Sequence, residues 1–579
     1  MDIAMKKRSC PAFLLACLLF LCTLFGCTPA HDPDPSAADS SPADSAAESL
    51  DDDNSSADPD SPADSTDDSS AGVPDTSSRA DGSKPSPSAD SSRPAADSSG
   101  GNSNGNGGNK PAASMPYFNV KNYGAKADGK TDDSGALKKA VAAAQKANGG
   151  LVYLPAGRYR LASGIDVPMG VSIRGESPST RKKWRKPADL GQKAVTYEAV
   201  GTTWTDGGNL SGTWILVDHG AGNADAHATF QLEGNASVYG LGFLHLGSAP
   251  VTDKITVYPP AIAIKNTKDI PFTRDGMTIE DICLLNAYIG IGIQAGNGKL
   301  LDHEVGSDAN LNSLGRMRVH NVTGGCVYRG MILKGLLDTV DIQNVRFGHT
   351  NLTKTYMTFR ARNAADFEWY RADGSNVSDI ASYGAKYGVL STPAYKNGST
   401  SLRMTNAELV GRYPLYLTAS GQYEISDCTL VTADSGQLAD EKAFCAMTVI
   451  QDETSIHQPF YLFCRLTLEN RVQSASAEDR SLCLITKRAS AAAMVLFSEL
   501  TFKGWSPDSA DPLIYYEAAG TSYGGYALFN SCKATGGSSA AGLLYKAVNI
   551  AKGGLQFNNC TFPQGLIDRS AKSDTVWFQ

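Results

Sequence analysis

Apolar residues recur at helical spacing between Ala136 and Ala147, where Leu137, Ala140, Val141 and Ala144 share one face. Thr131, Asp132 and Ser134 offer N-caps, and Gly149 stands where a left-handed C-cap would fall. The pattern then changes period. Leu151-Val-Tyr-Leu154 reads as a strand, Pro155 and Gly157 force a turn, and Val171-Ser-Ile173 begins another short strand. Asp128, Asp132 and Asp133 invite a catalytic reading, but their place beside the turn and the helix start assigns them to local backbone hydrogen bonds.

Beyond this opening one short phrase repeats. It reads Asp281-Ile-Cys-Leu, Asn321-Val-Thr-Gly, Asn344-Val-Arg-Phe, Asn406-Ala-Glu-Leu and Asp427-Cys-Thr-Leu, then Phe463-Cys-Arg-Leu, Glu499-Leu-Thr-Phe, Ser531-Cys-Lys-Ala and Asn559-Cys-Thr-Phe. Copies lie mostly 21 to 40 residues apart, with one interval of 62 between Asn344 and Asn406. Such irregular periods of short apolar strands and polar bends predict one solenoid rather than several domains. The second residue of each phrase points inward: Ile282, Val322, Val345, Ala407, Cys428, Cys464, Leu500, Cys532 and Cys560 stack from coil to coil. Counting back from that row gives outward Arg318, Asp341, Arg403 and Glu424, whose alternating signs predict a salt-bridge ladder.

The phrases Asn122-Tyr-Gly-Ala-Lys-Ala-Asp-Gly-Lys-Thr-Asp-Asp133 and Gly149-Gly-Leu-Val-Tyr-Leu-Pro-Ala-Gly-Arg-Tyr159 resemble the opening of the pectate-lyase-like superfamily. That resemblance implies an all-β fold, a right-handed parallel β-helix with an N-terminal capping α-helix. It also implies a substrate groove along one outer face, walled by long loops. The Asn-Thr-Asp, Gly-His-Gly and Arg-Ile-Lys motifs of the polygalacturonase branch are missing, and the chain's Asp132-Asp133 pair is in the wrong place for that branch's acids. Trp214-Ile-Leu-Val-Asp-His219 is similar to the Trp-Ile-Asp-His of calcium-dependent pectate lyases, but two residues longer, and reads mainly as an inner strand and turn.

Composition divides the chain. Residues 1–26 read as a signal peptide, with Lys6, Lys7 and Arg8 ahead of an apolar run too short for a comfortable membrane span. The run ends Leu24-Phe-Gly-Cys27, which resembles a bacterial lipobox and makes Cys27 the lipidated residue of a protein held on the outer face of the cell membrane; a cleaved, unlipidated leader is the alternative. Residues 27–113 are Ser, Asp, Ala, Pro and Gly with almost nothing apolar, a disordered tether spanning about 50 Å as a flexible coil. This tether holds most of the acid: 17 acidic against 4 basic residues between Thr28 and Lys110, so the overall net charge of −8 leaves residues 114–579 near neutral. Nothing there predicts a nucleic-acid surface. Eight of the 12 cysteines lie beyond the leader without a CxxC pair, which points to buried thiols rather than a zinc site.

Two stretches carry candidate chemistry. If the coils are in register, Tyr288, Arg329, His349 and Arg412 follow one another along one face. Arginines suit carboxylates or sulfates, and Tyr or His can serve as base in β-elimination of a uronic acid. The second is the long interval Phe347–Ser401, expected to be a groove-wall loop. It sets Asp366 and Glu368, candidates for the acid and base of glycoside hydrolysis, beside Trp369, a candidate stacking platform, and the aromatics Tyr356, Phe359, Phe367 and Tyr370. Leu301-Asp-His-Glu304 is a weak metal signal. The expectation is a lipid-anchored protein that binds and cleaves an extracellular polysaccharide, as a hydrolase or a lyase. No cofactor is predicted, with Ca2+ an option if it is a lyase, and the oligomeric state is not fixed. A non-catalytic glycan-binding or adhesive β-helix is the rival class.

Overall fold

The repeat phrase is a bend in the chain. Its first residue takes a left-handed conformation coil after coil: Asp281 (φ 56°), Asn321 (54°), Asn344 (53°), Asn406 (53°), Asp427 (55°), Glu499 (58°), Ser531 (53°) and Asn559 (50°). Asp and Asn tolerate this region best among residues with a Cβ, which is why they dominate the phrase. Their side chains also join along the ridge. Asn321 Nδ2 donates to Asp281 Oδ1 at 3.1 Å, and Asn344 Nδ2 donates to Asn321 Oδ1 at 2.9 Å.

The computed structural model describes residues 115–578 with interruptions, the longest being 181–209, 301–314 and 563–575. Its coils stack as three parallel ladders, making a parallel β-helix. Before the bend, Ile279, Val319, Ile342, Val377, Met404, Ile425, Phe463, Phe497, Phe529 and Phe557 pair in succession. After the bend Ile282, Val322, Val345, Ile380 and Ala407 do the same. The third ladder runs Ile291, Met331, Phe367, Val389, Leu415, Met447, Cys483, Ile514 and Tyr545. The described inner residues form one continuous core, and Phe463, Phe497, Phe529 and Phe557 stack in it with centroids 5.2, 4.4 and 5.1 Å apart.

The first helix, α1 (Ser134–Lys146), buries Leu137, Ala140, Val141 and Ala144 against the opening strands. The acids around it are turn and cap residues. Asp128 accepts from the amides of Lys130 and Thr131, Asp132 from Ser134, and Asp133 from Lys126 and Ala127. Gly149 follows the left-handed Asn148 at φ +116°, and a Cβ there would meet the Gly170 carbonyl at 2.7 Å.

Two expectations are corrected here. The interval between Asn344 and Asn406 is not a loop. It holds a second helix, α2 (Lys354–Asn363), the strand Ala365–Ala372 and a tenth bend at Asp379 (φ 56°), whose phrase Asp379-Ile-Ala-Ser sequence alignment missed. The phrase at Phe463 is two residues out of register: Arg465 (φ 53°) is the bend residue, it bonds Asp427, and Leu466 takes the inward place given to Cys464. The outward ladder runs Arg318, Asp341, Asn376, Arg403, Glu424, with Asn376 supplied by the hidden coil. Its ion pairs, Arg318–Asp341 at 3.9 Å and Arg403–Glu424 at 3.1 Å, are solvent-exposed and contribute about 0–1 kcal/mol each.

Candidate functional site

Where the third ladder begins, Ile289, Arg329, Ala365, Tyr387 and Tyr413 occupy one register row. Neighbouring strands are about 4.8 Å apart, so the backbones of Arg329 and Tyr387 lie about 10 Å from each other, with only Ala365 between them. Tyr288 and Tyr328 precede this row and stack at 5.1 Å, and Phe359 of α2 closes on both rings. Arg329 lies 3.7 Å above the Tyr328 ring. On the later coils Tyr387, Tyr413 and Tyr416 form a triangle of rings 5.1–5.6 Å apart. Lys386 Nζ stands 5.0 Å from the Tyr387 ring, and the Arg412 guanidinium is 5.2 Å from Tyr413 and 5.7 Å from Phe444. The result is a half-buried tyrosine face edged by Arg329 and Lys386, with the guanidinium of the buried Arg412 against its later rings.

Arg329 is held from below. Its Nε donates to Glu368 Oε2, and its Nη1 donates to the carbonyls of Asn363 (2.9 Å) and Tyr328 (3.1 Å). The other oxygen of Glu368 accepts from the Tyr370 hydroxyl. Glu368 is only 2% exposed, so its carboxylate orients the guanidinium rather than meeting solvent.

Period-two alternation explains the neighbouring side chains. Phe367 and Trp369 point into the coil, while Asp366, Glu368 and Tyr370 point out. Trp369 is fully buried and stacks on Phe367 at 6.0 Å. It is a core residue, which corrects its reading as a sugar platform. Asp366 faces out but lies beneath α2 with no exposed surface. Both its oxygens accept from Arg360 Nη2 (3.0 and 2.9 Å), and Oδ2 also accepts from Ser382 Oγ at 2.7 Å. Burial pushes its carboxyl up, and the guanidinium and hydroxyl pull the other way. Asp366 and Glu368 therefore do not form an acid–base pair across a groove: each is occupied by its own arginine.

Of the sequence candidates, Tyr288 and Arg329 come together on one face, and Arg412 lies further along it. His349 falls outside the described residues, as do Cys27 and the Leu301-Asp-His-Glu304 phrase. Tyr387, at the centre, carries no distinct sequence signal because its coil lies inside the long interval. Burial raises its hydroxyl pKa, against the pull of Arg412 and Arg329. Burial likewise raises Tyr413, to about 12. Both hydroxyls stay protonated at neutral pH and are proton donors. Among the described residues no three His, Cys, Asp or Glu side chains converge to hold a metal ion.

Comparison with known proteins gives a family match at the start of the solenoid. Residues 117–228 match the family model for Rhamnogalacturonase A/epimerase, pectate lyase-like. Alginate lyase 7 of Azotobacter vinelandii is 54% identical over 56 residues, covering 10% of this chain and 6% of that protein. The pre-neck appendage protein of Bacillus phage B103 is 28% identical over 179 residues, covering 31% of this chain and 18% of that one. Among solved structures, the Azotobacter vinelandii Mannuronan C-5 epimerase AlgE6 A-module aligns over 80% of this chain and 98% of its own, at 13% identity and a TM-score of 0.34. The chain thus spans less than a fifth of the length of these two sequence relatives, and the family match covers the opening coils rather than the tyrosine face. What the match identifies is the start of the solenoid: residues 117–228 are similar to the pectate lyase-like rhamnogalacturonase/epimerase family.

Proposed function

We propose that this chain is a carbohydrate-active enzyme of the cell surface, anchored through Cys27, that cleaves a uronic-acid-containing polysaccharide by β-elimination on the tyrosine face. The observation that carries this reading is the placement of Arg329 and Arg412 either side of Tyr387, together with the absence of an accessible carboxylate pair among the described residues of that face. Elimination needs three things of a protein. The uronate carboxylate must be neutralised so that the C5 proton becomes acidic, a base must take that proton, and the C4 oxygen must be protonated as its bond breaks and the C4–C5 double bond forms. Arg329, pre-oriented by Glu368, and Arg412 supply the first. Tyr387, protonated at rest, supplies the third. The base is assigned to His349, which follows Gly348 at the end of the strand Val340–Phe347.

The rival reading is a non-catalytic glycan binder, favoured by the three-ring cluster of Tyr387, Tyr413 and Tyr416, whose faces suit sugar C–H groups. One assay separates these outcomes. The protein is incubated with polyuronates and neutral glycans, and unsaturated products and reducing ends are read separately. Both should rise together on a polyuronate, and Arg329→Ala should lower the rate by orders of magnitude. Reducing ends without unsaturation overturn the elimination chemistry. Retention on a glycan column without any product establishes the binder.

A further inference from the structure

Cys532 and Cys560 each follow the bend residue of their coil, Ser531 and Asn559. The flanking positions are in register on both sides: Asn530 pairs with Asn558, and Lys533 bridges Thr561. Asn559 Nδ2 also donates to Ser531 Oγ at 3.4 Å. The two cysteines therefore sit at neighbouring-strand separation, about 4.8 Å between Cα atoms, inside the roughly 4.4–6.8 Å range that a disulfide spans. The Cys532 amide donates to Cys560 Sγ at 3.4 Å. Cys532 is 1% exposed, whereas Cys560 is half-buried and open to a small reagent. No other described thiols have this relation. Cys464 lies on a different row from Cys428, and Cys445 and Cys483 are both buried.

We propose that Cys532 and Cys560 are a cystine-forming pair that closes a covalent clasp between two successive bends near the end of the solenoid. The oxidant is a low-molecular-weight disulfide. The Cys560 thiolate attacks one of its sulfurs, releasing one small thiolate and forming a mixed disulfide at Cys560. Cys532 then loses its proton and attacks the Cys560 sulfur, releasing the second small thiol. Two protein thiols become one disulfide, and the external disulfide is reduced to two thiols. The order follows from the environment. The adjacent Cys532 holds the Cys560 thiol below its ordinary pKa, while the Cys560 sulfur and burial raise Cys532.

The test incubates the full chain with oxidised glutathione at mildly alkaline pH, quenches with acid, and alkylates under denaturing, non-reducing conditions before peptide mapping. The expected result is a peptide joining Cys532 to Cys560, with the other described thiols still alkylated. Cys532→Ser should stop at a glutathione adduct on Cys560, and Cys560→Ser should leave Cys532 unmodified; both variants are read only after circular dichroism shows a folded β protein. The proposal is overturned if folded wild-type protein keeps both thiols alkylatable after oxidation, or if Cys560 joins a different cysteine.

Discussion

Asp366→Asn separates a structural carboxylate from a catalytic one. The side chain has no exposed surface and accepts two hydrogen bonds from Arg360 Nη2 and one from Ser382. Removing its charge leaves the Arg360 guanidinium, itself fully buried, without a counterion. Breaking one partner of a buried pair costs about 3–5 kcal/mol. The lower end applies here, because Arg360 keeps the carbonyls of Cys326 and Tyr383, and the Asn amide can still accept from it. In a solenoid stability is a sum over neighbouring coils, so the loss should appear as local opening rather than global melting. At about 1.4 kcal/mol per decade, 3 kcal/mol is roughly a hundredfold loss of amide protection. Hydrogen exchange of peptides covering residues 354–391 should show that loss, with peptides from α1 unchanged. The double variant Arg360→Met/Asp366→Leu should recover much of it, since an apolar pair of similar volume needs no counterion. Unchanged protection in Asp366→Asn, combined with turnover reduced by orders of magnitude, would refute this reasoning and restore Asp366 as a catalytic acid.

Trp369→Ala should cost about 3–5 kcal/mol by opening a cavity between Phe367 and the neighbouring coils; a variant with an unchanged urea midpoint and weakened glycan binding would place the ring on the surface instead. Asp128, pulled down to about 2 by the amides of Thr131 and Lys130, stabilises the folded chain above its unfolded pKa near 4. That contribution is lost as pH falls from about 4 through about 2, so Asp128→Asn should flatten acid unfolding monitored by circular dichroism across this window, and an identical acid profile counts against it. Cys27→Ala should release the protein from the washed membrane fraction, and a variant that stays bound has some other anchor.

The fold was legible because a coil of a β-helix writes its own punctuation. A bend residue held near φ +55° favours Asp and Asn, and the residue after it must be small and apolar to enter a narrow interior. Both constraints are local, so single phrases reveal them. The register failed where the bend carries an atypical residue. Arg465 occupies a left-handed position that Asp or Asn usually fills, held by its two bonds to Asp427, and so the phrase was read from Phe463. The coil at Asp379 was missed for another reason. The helix α2 lengthens the interval before it, and a long spacing reads as a loop unless the phrase inside it is recognised.

The site was half legible, and the missing half concerns what covers a strand. Alternation correctly separates Phe367 and Trp369 from Asp366, Glu368 and Tyr370, but it does not say whether the outward face meets water. Here it does not. The outward residues Asp366, Glu368, Tyr370, Ile332 and Lys334 are all enclosed. A carboxylate in that setting needs a cation, and each one present has an arginine: Arg360 for Asp366, Arg329 for Glu368. The consequence runs in one direction for Arg360, which is sealed beneath α2, and in another for Arg329, which is partly exposed over the Tyr328 ring. The same acid–arginine chemistry thus gives a buried clasp in one case and a pre-oriented surface cation in the other. Under the proposed function, a polymer with a carboxylate on every uronate unit would meet a fixed guanidinium at the start of one strand and another on the far side of Tyr387, which select for charge as well as sugar shape. A neutral glycan can use the tyrosine rings but offers neither guanidinium a negative charge, so the proposed elimination chemistry predicts tighter binding of acidic glycans than of neutral ones.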